Sequence, residues 1–202
     1  MKLLYALAVT TALVATPALA QEEAGFGGLY AGALVGYDHV TIDDGADSGS
    51  KDGVAFSALL GYDYDLGSAV AGIEGEIGDS SANVTESDVL VAGDRGKLSA
   101  DLDLYVGARL GFKVAPSTLI YAKGGYTRTR VSLDYTSGTT TFKDHDNLDG
   151  YRIGVGIEQS FGRIGVRAEY RYSDYGNYFY GGVNTGLSAR RHQVVLAAVG
   201  KF

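Results

Sequence analysis

The sequence predicts an all-β protein: an eight-stranded antiparallel up-and-down β-barrel that spans a membrane. Three observations predict it. Apolar residues recur at every second position in eight successive segments, which is the period of a strand with two different faces. The connections between those segments alternate between short turns and long stretches rich in Gly, Ser, Thr, Asp and Asn. The rows opposite the apolar ones carry charges of both signs in mid-segment, which suits a narrow interior where charges pair and not a face in contact with hydrocarbon.

Composition bounds the remaining readings. A length of 202 residues fits one domain or two small ones. The absence of cysteine removes disulfides, thiolate zinc sites, cysteine nucleophiles and a lipidated cysteine. A net charge of −7 speaks against a nucleic-acid partner, which calls for a basic excess. Met1-Lys2 gives a short basic start, an apolar run follows from Leu3 to Val14, and Ala18-Leu19-Ala20 ends the stretch in a small-x-small pattern. This is the layout of a secretory signal peptide over residues 1–20, which leaves a barrel domain over residues 21–202. The apolar run of about 12 residues is short of the ~20 that a spanning helix needs. No later segment supplies such a helix, and a closed barrel is the other permitted way across a bilayer.

The eight segments follow in order. The first sets Leu29, Ala31, Ala33, Val35 and Tyr37 against Tyr30, Gly32, Leu34, Gly36 and Asp38. The second sets Val54, Phe56, Ala58, Leu60, Tyr62 and Tyr64 against Ala55, Ser57, Leu59, Gly61 and Asp63. The third sets Ala71, Ile73, Gly75 and Ile77 against Gly72, Glu74 and Glu76. In the fourth, Leu102 to Phe112 oppose Asp101 to Lys113 in strict alternation. The fifth, from Leu119 to Val131, reads either way; we place Tyr121, Lys123 and Gly125 with the mixed row. The sixth sets Tyr151, Ile153, Val155, Ile157 and Phe161 against Arg152, Gly154, Gly156, Glu158 and Ser160. The seventh sets Val166, Ala168, Tyr170 and Tyr172 against Arg167, Glu169, Arg171 and Ser173. The eighth sets Val194, Leu196, Ala198 and Phe202 against Gln193, Val195, Ala197, Val199 and Lys201. Short turns fall near Leu66-Gly67-Ser68, Ala115-Pro116-Ser117 and Gly162-Arg163, and long loops at 41–53, 80–98, 134–148 and 174–188.

Alternation alone does not say which face is inside, and a secreted barrel of lipocalin type would turn the apolar face inward. The charges, the tyrosines and the export signal with a cysteine-free chain favour lipid outside. Arg109, Lys113, Lys123, Arg152, Arg167, Arg171 and Lys201 balance Asp63, Glu74, Glu76, Asp101, Asp103, Glu158 and Glu169 along the mixed rows. Among these, Glu74, Glu76, Arg109, Lys123, Arg152, Glu158, Arg167, Glu169 and Arg171 are expected to form an ion-pair network that fills the lumen. Tyrosines near the ends of the apolar rows, such as Tyr37, Tyr62, Tyr151 and Tyr170, suit the two interfacial girdles.

The signal peptide, the opening Gly28-Leu29-Tyr30-Ala31-Gly32-Ala33-Leu34-Val35-Gly36-Tyr37, the strand Arg167-Ala168-Glu169-Tyr170-Arg171-Tyr172 and a terminal Phe202 resemble the small outer-membrane barrels of diderm bacteria, the OmpA-like transmembrane domain and the porin-family outer-membrane proteins. The resemblance spans residues 25–202. It implies a place in the bacterial outer membrane and insertion by the barrel-assembly machinery, which recognises a last strand ending in an aromatic residue. Phe202 holds that position, although Gly200, two residues earlier, departs from the pattern.

Chemistry is sparse. His39, His145 and His192 stand in no nucleophile arrangement, and Arg190-Arg191-His192-Gln193 lacks the serine partner that a lipid A deacylase pairs with its histidine. The acidic stretches 41–47 and 143–147 lack the ligand spacing of a calcium loop. We expect no catalytic residues, no cofactor and no metal. Arg128, Arg130, Arg190 and Arg191 lie near the long-loop ends of their strands, where lipopolysaccharide phosphates are natural partners. The expected function is non-enzymatic, a structural and surface-interaction role with four extracellular loops open to a host or envelope partner. The alternatives are a narrow passive channel and, behind it, a lipid-modifying enzyme.

Overall fold

The computed structural model describes the backbone of residues 25–43, 48–81, 83–87, 95–137, 140–180 and 183–202, and side chains within 25–42, 49–81, 102–130, 147–176 and 188–202. The expected signal peptide, residues 1–20, lies outside the described residues. Nine strands form among the described residues: β1 (Gly28–Asp43), β2 (Ser48–Asp65), β3 (Ala69–Ser80), β4 (Asn83–Ser87), β5 (Arg95–Ala115), β6 (Thr118–Ser137), β7 (Thr140–Phe161), β8 (Ile164–Tyr180) and β9 (Val183–Lys201). All neighbours are antiparallel. The sheet closes because β1 pairs with both β2 and β9, and β3 pairs with β5. The short β4 lies on β5 beyond the end of β3, so the two together fill one of eight positions round the ring. The ladder is continuous round the ring at the level of β3, and a closed ladder is the condition for a sheet to stand in hydrocarbon.

The phase of the strands matches the sequence reading in every segment. Leu60 is 57% exposed and its neighbour Leu59 4%, and the same alternation repeats round the barrel. Leu29, Val35, Phe56, Ile73, Val106, Val155 and Leu196 all stand on the outer face. The ambiguous fifth segment resolves with Tyr121 and Lys123 inside and Ile120 and Tyr126 outside. The lipocalin arrangement, with the apolar row turned inward, is not what the chain adopts.

The strands run longer than a membrane needs. The stretches read as loops at 41–53, 80–98, 134–148 and 174–188 are largely paired strand, and the ladders end only at Asp43↔Ser48, Ser87↔Arg95, Ser137↔Thr140 and Tyr180↔Val183. The reason lies in their side chains. Thr, Ser, Tyr and Val fit a pleated surface whether or not one face is apolar. The sequence of these stretches carries no apolar row, so the period-2 signal fades while the backbone pairing continues.

At the other end the turns are tight. Gly162 takes a φ of +66° in the two-residue turn between Phe161 and Ile164, a conformation that hairpin turns of this kind demand and a side chain resists. Asp65 caps the first turn by accepting from the Gly67 backbone N at 2.9 Å. It also receives Lys113 Nζ at 2.6 Å, and that hydrogen bond holds its carboxyl below the usual range. At the seam between first and last strands, a Cβ on Gly36 would lie 2.1 Å from the Val194 carbonyl oxygen and 2.5 Å from Val195 Cα. Only a residue without a side chain lets β1 and β9 approach this closely.

Candidate functional site

The lumen is the built feature of this fold. Two small apolar clusters line parts of it. Tyr30, Leu34, Leu59, Val195, Ala197 and Val199 pack along the β1–β2–β9 wall, and Phe26, Val70, Leu119 and Tyr121 fill the short-turn end. The rest is charged. Asp38, Asp63, Glu74, Glu76, Asp103, Glu158 and Glu169 are buried together with Arg109, Lys123, Arg152, Arg167, Arg171 and Arg191. Lys201, nearly buried at the short-turn end, balances the set.

The pairs form one chain along the barrel axis. Lys201 Nζ meets Glu158 Oε1 at 2.8 Å, while Glu158 Oε2 accepts from Arg167 Nε at 2.8 Å and Arg109 Nη2 at 2.9 Å. Arg167 Nη1 donates to Glu74 Oε2 at 2.6 Å, and the Tyr30 hydroxyl donates to the same oxygen at 2.9 Å. Lys123 Nζ sits among three carboxylates: Glu74 at 2.8 Å, Glu76 at 2.5 Å and Glu169 at 2.9 Å. Arg171 pairs with Glu169 and donates to Glu76 Oε2 at 2.7 Å. Arg152 continues the chain from Glu76, 3.7 Å away, to Asp103 at 2.7 Å. Arg191 closes it, 3.2 Å from Asp103 and 2.6 Å from Asp38. Hydroxyls complete the carboxylates at that end: Thr129 donates to Asp103 at 3.1 Å and Ser80 to Asp38 at 2.5 Å.

Aromatic rings separate the layers. Arg167 lies 4.4 Å above the Tyr30 ring, Arg109 4.8 Å above Tyr121, and Lys123 4.8 Å above Tyr105. Such contacts gain when both partners are desolvated. The pairing is not complete. Arg109 Nη2 stands 2.8 Å from Asp63 Oδ2 as an ion pair, although among the described residues neither Asp63 oxygen meets a partner in good hydrogen-bond geometry.

All nine residues expected in the network are buried and lie in this chain. Of the wider balanced set, Lys113 moves out to the rim with Asp65, and the side chain of Asp101 lies outside the described residues. The sequence reading missed the pair Asp38–Arg191, and here it needs correction. Arg191, expected at the surface facing lipopolysaccharide, is 3% exposed and points inward. The signal was present: Arg191 is in phase with Gln193 and Val195, and Asp38 with Gly36 and Leu34. Arg128, Arg130 and Arg190 are on the outside as expected. Arg128 Nε contacts Asp149 at 3.2 Å. Phe202 is on the outer face, and its backbone N donates to the Leu29 carbonyl at 2.9 Å. The acidic stretch 143–147 lies outside the described side chains except for Asn147, and 43–47 lies outside them entirely.

The outer face carries a shallow groove of about 710 Å³ over β2, β3, β5 and β6, lined among others by Ala58, Gly75, Ile77, Leu104, Tyr126 and Arg128. A smaller hollow of about 150 Å³ adjoins it at Leu104, Arg128, Arg130 and Asn147. The small residues Ala58 and Gly75 account for its depth, because neighbouring positions on the face carry Leu, Ile or Val.

A family model described as the outer membrane protein beta-barrel domain matches residues 6–197. The crystal structure of Neisserial surface protein A is similar at a TM-score of 0.57 and 15% identity, over 86% of this chain and 97% of that one. Ail, the attachment invasion locus protein of Yersinia pestis, in complex with the heparin analogue sucrose octasulfate, is similar at a TM-score of 0.51 and 13% identity, over 85% of this chain and 99% of that one. At such identities these likenesses show the fold. None of the curated proteins compared matches the chain.

Proposed function

The chain belongs to the outer membrane protein beta-barrel domain family, and from that premise we propose that it is a non-enzymatic anchor in the bacterial outer membrane, with a lumen closed by ion pairs and four long hairpins working at the cell surface. One observation carries this reading: the unbroken run of pairs from Lys201 to Asp38, which spends the mid-strand acids and bases on one another. Carboxylates and guanidiniums so engaged are poor candidates for acid–base catalysis. An eight-stranded barrel has an interior just wide enough for side chains, which disfavours a wide aqueous channel.

The partners follow from the two surfaces. Arg128, Arg130 and Arg190 meet lipopolysaccharide phosphates at the long-hairpin end, where a guanidinium binds two phosphate oxygens at once. The apolar groove beside Arg128 and Arg130 takes an acyl chain of the same lipid. Phe202, outward-facing next to the β1–β9 seam, serves as the aromatic end of the insertion signal read by the barrel-assembly machinery. The hairpins meet a host or envelope partner.

The topology is testable. Short turns face the periplasm and long connections the outside in barrels of this class. Single cysteines at Ser48, Ser87, Ser137 and Thr185 are therefore expected to label with a membrane-impermeant reagent on intact cells, and cysteines at Ser68 and Ser117 only after lysis. Labelling of the last two on intact cells reverses the orientation and removes the surface role of the hairpins.

A further inference from the structure

Two of the three histidines are brought to directly paired positions at the barrel seam. His39 of β1 is the direct cross-strand partner of His192 of β9. Both stand on the outer face, in phase with Tyr37 and Val194. Residues paired in this way hold their Cβ atoms roughly 4.5–5.5 Å apart. Each ring is anchored on its far side. His39 Nδ1 lies 2.7 Å from Asp52 Oδ1 on β2, and the same oxygen receives the Tyr37 hydroxyl at 2.5 Å. His192 Nδ1 lies 2.7 Å from the Tyr170 hydroxyl on β8, and the Tyr172 ring packs against it with centroids 5.0 Å apart. In an imidazole the two nitrogens point to opposite sides of the ring. Anchoring Nδ1 of His39 toward β2 turns its Nε2 toward β9, and anchoring Nδ1 of His192 toward β8 turns its Nε2 toward β1. Among the described residues neither Nε2 has a hydrogen-bond partner.

The geometry points to a two-histidine site for a divalent transition-metal ion across the seam, with His39 Nε2 and His192 Nε2 as ligands, water in the remaining positions, and Asp52 as the residue that positions His39. A metal-bound imidazole ordinarily donates its other N–H to a carboxylate or another oxygen, which fixes the tautomer and ring direction. Asp52 and the Tyr170 oxygen already occupy those places. Imidazole ligands with open positions select copper, zinc and nickel, with copper the tightest. Among the described residues no group of three or more His, Asp and Glu is placed to hold a metal, so this site has two protein ligands and its remaining positions are taken by water. Because its ligands come from the first and last strands, the bound ion joins the two strands whose pairing closes the barrel.

The test uses the folded, chelator-treated protein in detergent. Copper(II) titrated into it is expected to give an electron paramagnetic resonance spectrum with two nitrogen ligands. His39→Ala and His192→Ala are each expected to lose that two-nitrogen signature, and His145→Ala to keep it. Asp52→Asn is expected to keep both nitrogens but weaken binding by about 10–100-fold, the usual penalty for removing an orienting partner. Zinc is expected to raise the temperature at which the folded gel band converts to the unfolded one, and to do so only while both histidines are present. His39→Gln and His192→Gln replace the alanine variants if either of those does not refold. The inference is overturned if the unmutated protein binds no copper above buffer level, if the two-nitrogen spectrum survives loss of either histidine, or if His145→Ala abolishes it.

Discussion

Replacing Lys123 with methionine is expected to lower the unfolding free energy of the barrel by about 3–5 kcal/mol, the range for removing one partner from a buried ion pair. The expectation sits at the top of that range because one ammonium faces three carboxylates, Glu74, Glu76 and Glu169, all within 3 Å of Nζ. With Lys123 gone, Arg167 and Arg171 remain on these acids, but the three negative charges crowd one section of a lumen with little water to screen them. Urea unfolding followed by the gel shift between folded and unfolded bands measures the loss. A second substitution, Glu76→Gln, removes one of the three crowded charges and is expected to recover part of it. Full wild-type stability in Lys123→Met means that water reaches these acids and that the lumen is wetter than the burial of its side chains indicates.

Arg167→Ala is expected to have a comparable cost, about 3–5 kcal/mol, by a different route. Arg167 joins Glu158, at 2.8 Å, to Glu74, at 2.6 Å, and stacks 4.4 Å above Tyr30. Removing it breaks the axial chain and opens a gap the width of a guanidinium, so a rise in ion conductance is expected together with the lost stability. Val166→Ala, one residue away on the outer face, removes only apolar contact and is expected to cost less and to leave conductance unchanged. Lys123 and Arg167 both bond Glu74, so their effects are expected to be non-additive in the double variant.

The fold was legible in the sequence because a membrane barrel writes its two faces in the simplest period there is. Leu102 to Phe112 shows this best: every even position met lipid-type apolar chemistry and every odd one a small, aromatic or charged residue. The lumen network was legible for the same reason, since a charge in mid-strand on a two-faced sheet has only the interior to go to. The reading failed where that logic weakens. Arg191 adjoins a run of polar residues near a strand end, where either face tolerates charge, and it was placed outside although its phase with Gln193 puts it inside. The long hairpins were read as loops because their ladders outlast the membrane, and with it the contrast between faces. Phe26 gave no periodic signal, since it precedes β1, yet it is buried at the short-turn end with Lys201 4.2 Å from its ring. The His39–His192 pair depends on register between the first and last strands, which no local pattern encodes.

The central claim is that the lumen of this outer-membrane barrel is closed by its own side chains. Single-channel recording of the unmutated protein in planar lipid bilayers tests it most directly. The account predicts no steady conductance from the folded barrel and a new conductance in Arg167→Ala; a large, steady conductance from the unmutated protein contradicts it and makes the chain a narrow pore.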